Sequence, residues 1–222
     1  MRLVLALMLA ASAASAQEFI TTNTPLSDTD FYRLVSCAAP PGGRCQKDLV
    51  RWSPADAQDV SIGIVQIEDG YPQAIAQWVS DALSSAISEL NASDANLTIT
   101  LSDKGIKPDI GIHLLTIVEG DLIRQTGLNP LDGAVIQAAK TQLWWRHDLS
   151  LIQGAIVFGK DIDPAYLPSI MLEEVTQSMG LLTDIGGAFY QNRSIFSESS
   201  NQLTALGRQD VMALRRHYPK SP

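Results

Sequence analysis

The residues best suited to chemistry lie between Met171 and Asp184, a stretch that reads MLEEVTQSMGLLTD. In a helix advancing about 100° per residue, Glu173 and Gln177 stand one above the other, about 40° apart, with Glu174 about 60° further round. Leu172, Val175, Met179 and Leu182 form the other stripe, with Met171 beside it, and that stripe predicts the core-facing side. Ile170 and Leu181 fall on the polar pair's own side. A helix apolar on both sides predicts protein cover on both, so Glu173 and Gln177 are expected to line a cleft or a buried layer. Two adjacent carboxylates beside an amide in such a place should raise at least one carboxyl pKa. Three readings fit these residues. Glu173, Glu174 and Gln177 form a hydrogen-bond network; or Glu173, Gln177 and Asp184 make an oxygen-rich site for a hard cation such as Ca²⁺ or Mg²⁺; or the face is solvated and carries no site.

Such a helix needs a scaffold to hold it, and the hydrophobic pattern supplies one. DVSIGIVQI (59–67) alternates as a strand, Asp69-Gly70 makes a turn, and Pro72 opens a helix running through Asn91 on Ile75, Val79, Ala82, Ala86 and Leu90. LTITL (97–101) is a second strand. DIGIHLLTI (109–117) is a third, apolar enough to be central. The long segment 119–149 carries Gly, Asn-Pro and a short helix expected near 133–143. IQGAIVFG (152–159) reads as a fourth strand. Helices over 165–182 and 204–218 close the chain. The order predicts an α+β fold: a mixed four- to five-stranded sheet with a backing helix and a second helix beneath the cleft edge.

The chain opens MRLVLALMLAASAASAQEF, one Arg ahead of a short apolar run, with small residues before Gln17. Residues 1–16 are therefore expected to be a secretory signal, which makes the protein periplasmic or secreted. No later stretch approaches the roughly 20 apolar residues of a transmembrane anchor. Residues 17–55, rich in Thr, Pro and Gly, read as an N-terminal extension with one short helix over 28–35. Cys37 and Cys45, the only cysteines, are expected to pair in an oxidising compartment and staple that extension. The net charge of −8 argues against nucleic acid or an anionic membrane as partner.

Aligned with the metalloprotease signature HExxHxxGxxH, Glu173 and Gln177 stand at the first two His positions and Thr183 at the third. Glu174 falls on the general-base Glu, Gly180 on the Gly, and Asp184 comes next. Downstream, Ser194-Ile195-Phe196 stands where a Ser-[Ile/Val]-Met turn underlies the metal, and Leu203, Thr204, Asp210, Leu214 and Tyr218 fit a closing helix. The set EExxQxxGLxxD…SIF…LRRxYP resembles a family of proteobacterial exported proteins of unknown function with a zincin-like, metzincin-type domain. The likeness spans Trp52 to Pro219, giving a domain over 56–219, and it implies that the strand at 152–159 edges the cleft.

Catalytic zinc takes three His, Cys or carboxylate ligands and an open position, and a Gln carbonyl is a poor substitute for imidazole. The resemblance therefore implies a degenerate metallopeptidase without cofactor, holding a peptide or envelope-protein partner in its cleft. Its alternative is an active metallohydrolase with a divalent cation on Glu173, Gln177 and Asp184 and Glu174 as base. A third class is a purely structural envelope component.

Three histidines complete the inventory of titratable groups. His113 lies within a strand, as a core or cleft-edge residue. The Trp144-Trp145-Arg146-His147-Asp148 cluster reads either as a cleft rim, with Trp144, Trp145 and His147 as binding groups, or as aromatics packing a long loop. His217 is expected to sit favourably at a helix C-terminal dipole. No Gly-rich phosphate loop, G-x-S-x-G elbow or Cys–His pair supports other hydrolase classes.

Overall fold

The computed structural model describes residues 19–103 and 105–220. The expected signal segment, 1–16, lies outside the described residues. The fold is α+β. Strands β2 (Val60–Ile67), β3 (Ile99–Leu101), β4 (Ile110–Leu114), β5 (Ala139–Trp145) and β6 (Leu151–Phe158) form one mixed sheet. Their spatial order is β3-β2-β4-β6-β5, parallel throughout except for β5, which runs antiparallel to β6. All five residues of β4 are buried, as its continuous apolar run requires of a strand covered on both faces.

Two helices cover one face. Helix α2 (Gln73–Asn91) buries Val79, Ala82, Leu83, Ala86 and Leu90 in one stripe. Helix α3 (Leu167–Gln177) packs against α2 and reaches β5. On the other face Ile123, Leu131 and Ile136 of the long segment pack on Leu115, Ala155 and Val157. Helix α1 (Asp28–Cys37) puts Phe31, Leu34 and Val35 into the main core and packs against α4 (Arg208–His217). Strand β1 (Phe19–Thr21) pairs in parallel with β7 (Asp184–Gly186), and Cys37 is disulfide-bonded to Cys45. No helix among the described residues is long and apolar enough to cross a membrane.

Four sequence-based expectations are corrected. The short helix expected near 133–143 is absent, and Ala139–Trp145 is strand β5. Its residues alternate faces: Leu143 joins the main core and Trp144 the opposite cluster. Lys140, Thr141 and Gln142 dilute the apolar pattern, because an edge strand is only partly covered. It follows that β6 is interior, and β5 holds the edge assigned to 152–159. Helix α3 ends at Gln177 rather than Leu182, and α4 begins at Arg208 rather than Thr204.

The early stop of α3 has a definite cause. Gly180 adopts φ +97°, and a Cβ there would lie 2.1 Å from the Val50 carbonyl oxygen. The freed carbonyls are taken by distant donors: the Trp52 indole donates to Ser178 O at 3.2 Å and the Tyr218 hydroxyl to Met179 O at 2.6 Å. Gly180→Ala is expected to lower the unfolding free energy by about 3 kcal/mol or more, since strain and backbone clash act together. Gly120→Ala, at φ +89° with nothing near its Cβ, should cost only about 1 kcal/mol. Urea denaturation of the two variants side by side checks the contrast.

Candidate functional site: an acid-floored groove beside the edge strand

A groove of about 560 Å³ separates β5 from the C-terminal half of α3, a volume within the usual range for ligand sites. Its floor is built from three places in the chain. Helix α3 supplies Glu173, Glu174 and Gln177; β7 supplies Asp184; the segment after the Ser194–Phe196 turn supplies Ser197 and Glu198. Lys47, Lys140 and Trp145 stand on the walls.

Each of these positions is held by backbone or buried side chains. Asp184 opens β7, opposite Phe19 of β1, and the adjoining Ile185 N–H donates to Phe196 O at 2.6 Å. The Glu198 N–H donates to Ile185 O at 3.2 Å, fixing that carboxylate's stem beside β7. The turn itself hangs on Asp210, whose carboxylate accepts from Ser194 Oγ at 2.6 Å, Ile195 N at 3.0 Å and Gly207 N at 2.7 Å. Burial nonetheless pushes the Asp210 carboxyl up to about 6, against the pull of those donors. Phe196 is fully buried, edge-on to Phe31 with ring centres 6.3 Å apart.

The side chains on the floor then bond to one another. The Gln177 amide nitrogen donates to Asp184 Oδ1 at 2.9 Å and, less closely, to Glu173 Oε1 at 3.4 Å. An ionised carboxylate only accepts, so whichever of the two is ionised takes the NH₂ end of the amide. Across the groove Thr141 of β5 donates its hydroxyl to Glu174 Oε2 at 2.5 Å. Burial, first of all, holds the Glu173 carboxyl well above the usual carboxylate range; the charges of Asp184, Glu174 and Glu198 and a hydrogen bond with Asp184 add to it. Burial also pushes Asp184 up to about 8, with Glu198 and Glu174 adding repulsion and the Gln177 hydrogen bond and Lys47 opposing it. Two carboxyls this close titrate as a pair and hold a proton between them near neutral pH.

Such a pair can hold, give or take a proton, and it can take a cation in the proton's place. It does not fit a zinc centre: no imidazole or thiolate of the described residues lines the groove, and Gln177 offers only a neutral amide. Among the described residues no three His, Cys, Asp or Glu side chains are grouped to hold a metal ion.

The structure thus brings together Glu173, Glu174, Gln177 and Asp184, with Ser194, Ile195 and Phe196 packed beneath. Gly180 stands behind the floor, at the turn that ends α3. Trp145 is 41% exposed and lines the groove. Trp144 points to the other face of the sheet, its indole donating to Asn129 O at 3.1 Å. His147 is exposed in the β5–β6 turn and does not line the groove.

His113 bonds through Nδ1 to Gln66 Oε1 at 2.8 Å and is buried in β4. His217 is a correction. It is fully buried, and its Nε2–H donates to Val50 O at 3.0 Å, so the neutral ring accepts from the Tyr32 hydroxyl through Nδ1. Burial lowers it to about 4, which removes the charge that a dipole interaction would need. Sequence reasoning missed Thr141, Lys47, Lys140, Ser197 and Glu198. Only the last two carried a signal, standing directly after the Ser-Ile-Phe turn. Comparison of the chain with protein-family models and with curated proteins returns no match.

The acid pair makes stability depend on pH. The Asp184 and Glu173 pKa values are raised on folding, so the folded chain keeps protons that the unfolded chain releases. The stability this contributes is complete below the unfolded-state pKa values and is lost as pH rises through about 8. The melting temperature should therefore fall between pH 5 and pH 8.5. Asp184→Asn keeps the acceptor for Gln177 and should flatten that fall, leaving the variant more stable at pH 8.5 by on the order of 1–3 kcal/mol. Asp210 titrates in the same window in both proteins, so their difference isolates Asp184. A variant less stable than wild type at pH 8.5 would show the ionised carboxylate to be well paired.

Proposed function

We propose that this is an exported protein, periplasmic or secreted, with a zincin-like domain whose active-site helix is degenerate. In this reading it binds an extended peptide, free or as part of an envelope protein, in the groove without cleaving it. The observation that carries the reading is the Gln177 amide tied to Asp184 and Glu173 where the signature expects metal-binding imidazole. The scaffold supports it: a mixed sheet with a strand edging the cleft, a helix beneath, a buried turn under the site and a closing helix.

The mode of binding follows from β5. It is the last strand of its sheet, so one row of its backbone N–H and C=O groups faces the groove rather than another strand. An added peptide strand would satisfy that row while alternate side chains point down to the acid floor.

Protein purified without added metal is expected to carry zinc well below half-stoichiometric occupancy, with a melting temperature unchanged by chelator. Peptides selected from a random display library should slow amide hydrogen exchange over Ala139–Trp145. Stoichiometric zinc, or a chelator-induced drop in melting temperature, would replace this reading with an active metallohydrolase. Selected peptides that protect some other surface would remove the groove from it.

A further inference from the structure

We infer that the floor of the groove is a receptor for a cationic side chain, an arginine of the bound peptide. This rests on the peptide-groove reading and adds the chemistry of what is bound. The first observation is the balance of charge. Four carboxyls line the groove, Glu173, Glu174, Asp184 and Glu198, against Lys47 and Lys140, and a bound cation can take the place of the proton that Glu173 and Asp184 hold between them.

The second observation is independent of charge. Ser197, 1% exposed, lines the same groove, and its buried hydroxyl has no hydrogen-bond partner. A buried hydroxyl without a partner costs about 1–3 kcal/mol, and a ligand bearing donors removes that cost. The adjoining recess repeats the pattern. It shares Lys47, Trp145 and Leu182 with the groove and holds Thr183, whose buried hydroxyl also has no partner.

Arginine fits better than a point cation. The acidic groups are spread over α3, β7 and the segment after the turn, and among the described residues no three of them are grouped for an ion. A guanidinium brings five N–H donors in a flat fork, enough to serve more than one of these carboxyls and Ser197 together. Trp145, part-exposed on the wall, offers an aromatic face beside the entry. Seven strand residues in β5 span about 24 Å, so a heptapeptide laid along it places one central side chain over the floor.

The test uses two synthetic heptapeptide pools, randomised at six positions, with either arginine or its neutral isostere citrulline fixed at the centre. Both pools pass together over the immobilised protein, and the retained peptides are counted by mass spectrometry. Arginine peptides are expected to be retained at least tenfold over citrulline peptides. Ser197→Ala removes only an unpartnered hydroxyl, so the variant should fold, and it should cut that ratio by about threefold or more. Equal retention of the two pools overturns the arginine receptor and leaves the peptide groove standing. Retention of neither pool overturns both. Arginine preference unchanged in both Ser197→Ala and Asp184→Asn assigns it to the acidic surface at large and overturns the site. Displacement of the arginine pool by 1 mM CaCl₂ at constant ionic strength, with a matching rise in melting temperature, shows an inorganic cation site instead.

Discussion

The groove floor depends on how the chain reverses after α3. Helix ends leave carbonyls without intrahelical partners, and burying them unpaired costs about 1–3 kcal/mol each. Here the indole of Trp52 and the hydroxyl of Tyr218 take the carbonyls of Ser178 and Met179. His217 takes the Val50 carbonyl whose oxygen leaves no room for a side chain at Gly180. Residues from before the sheet and from the last helix thus close the turn between them. Because the turn is fixed, Asp184 comes back within reach of Gln177, seven residues before it in the chain. Loosen the reversal and the carboxyls part.

The floor that results is not built for stability. Glu173 and Asp184 lie where solvent is scarce; the charge of Asp184 further opposes the ionisation of Glu173, and Glu198 and Glu174 that of Asp184. A single amide and the nearby Lys47 only partly offset this. Folds violate local rules of this kind mainly where a site is being kept, and perturbed carboxyls in a concave surface are the usual mark of one. The contrast with Asp210 is instructive. That carboxylate is more deeply buried but accepts three hydrogen bonds, and it holds the turn beneath the floor.

Much of this was legible in the sequence where periodicity and burial agree. Val60–Ile67, Ile110–Leu114 and Leu151–Phe158 alternate or run apolar because both faces of the inner sheet are covered, and α2 declares itself by one clean stripe. The face shared by Glu173, Gln177, Ile170 and Leu181 correctly announced cover on both sides of α3. Strand β5 was not legible: half its side chains meet the groove or the surface, so its register comes from pairing with β6 rather than from its own pattern. Thr141 and Lys140 were hidden with it. Lys47 was hidden for another reason, since no local spacing reports that a loop beside a disulfide folds over a helix more than a hundred residues away.

The pairing of β1 with β7 has a consequence for how the molecule is made. Phe19–Thr21 form a parallel ladder with Asp184–Gly186, so the earliest described strand finds its partner only after residue 184 has been made. Helix α1 likewise rests on α4, more than 170 residues later. Loop-closure entropy disfavours such distant contacts until much else is in place, and topologies rich in them form slowly. The first described strand and helix are therefore expected to dock last, onto a sheet and helices already assembled without them.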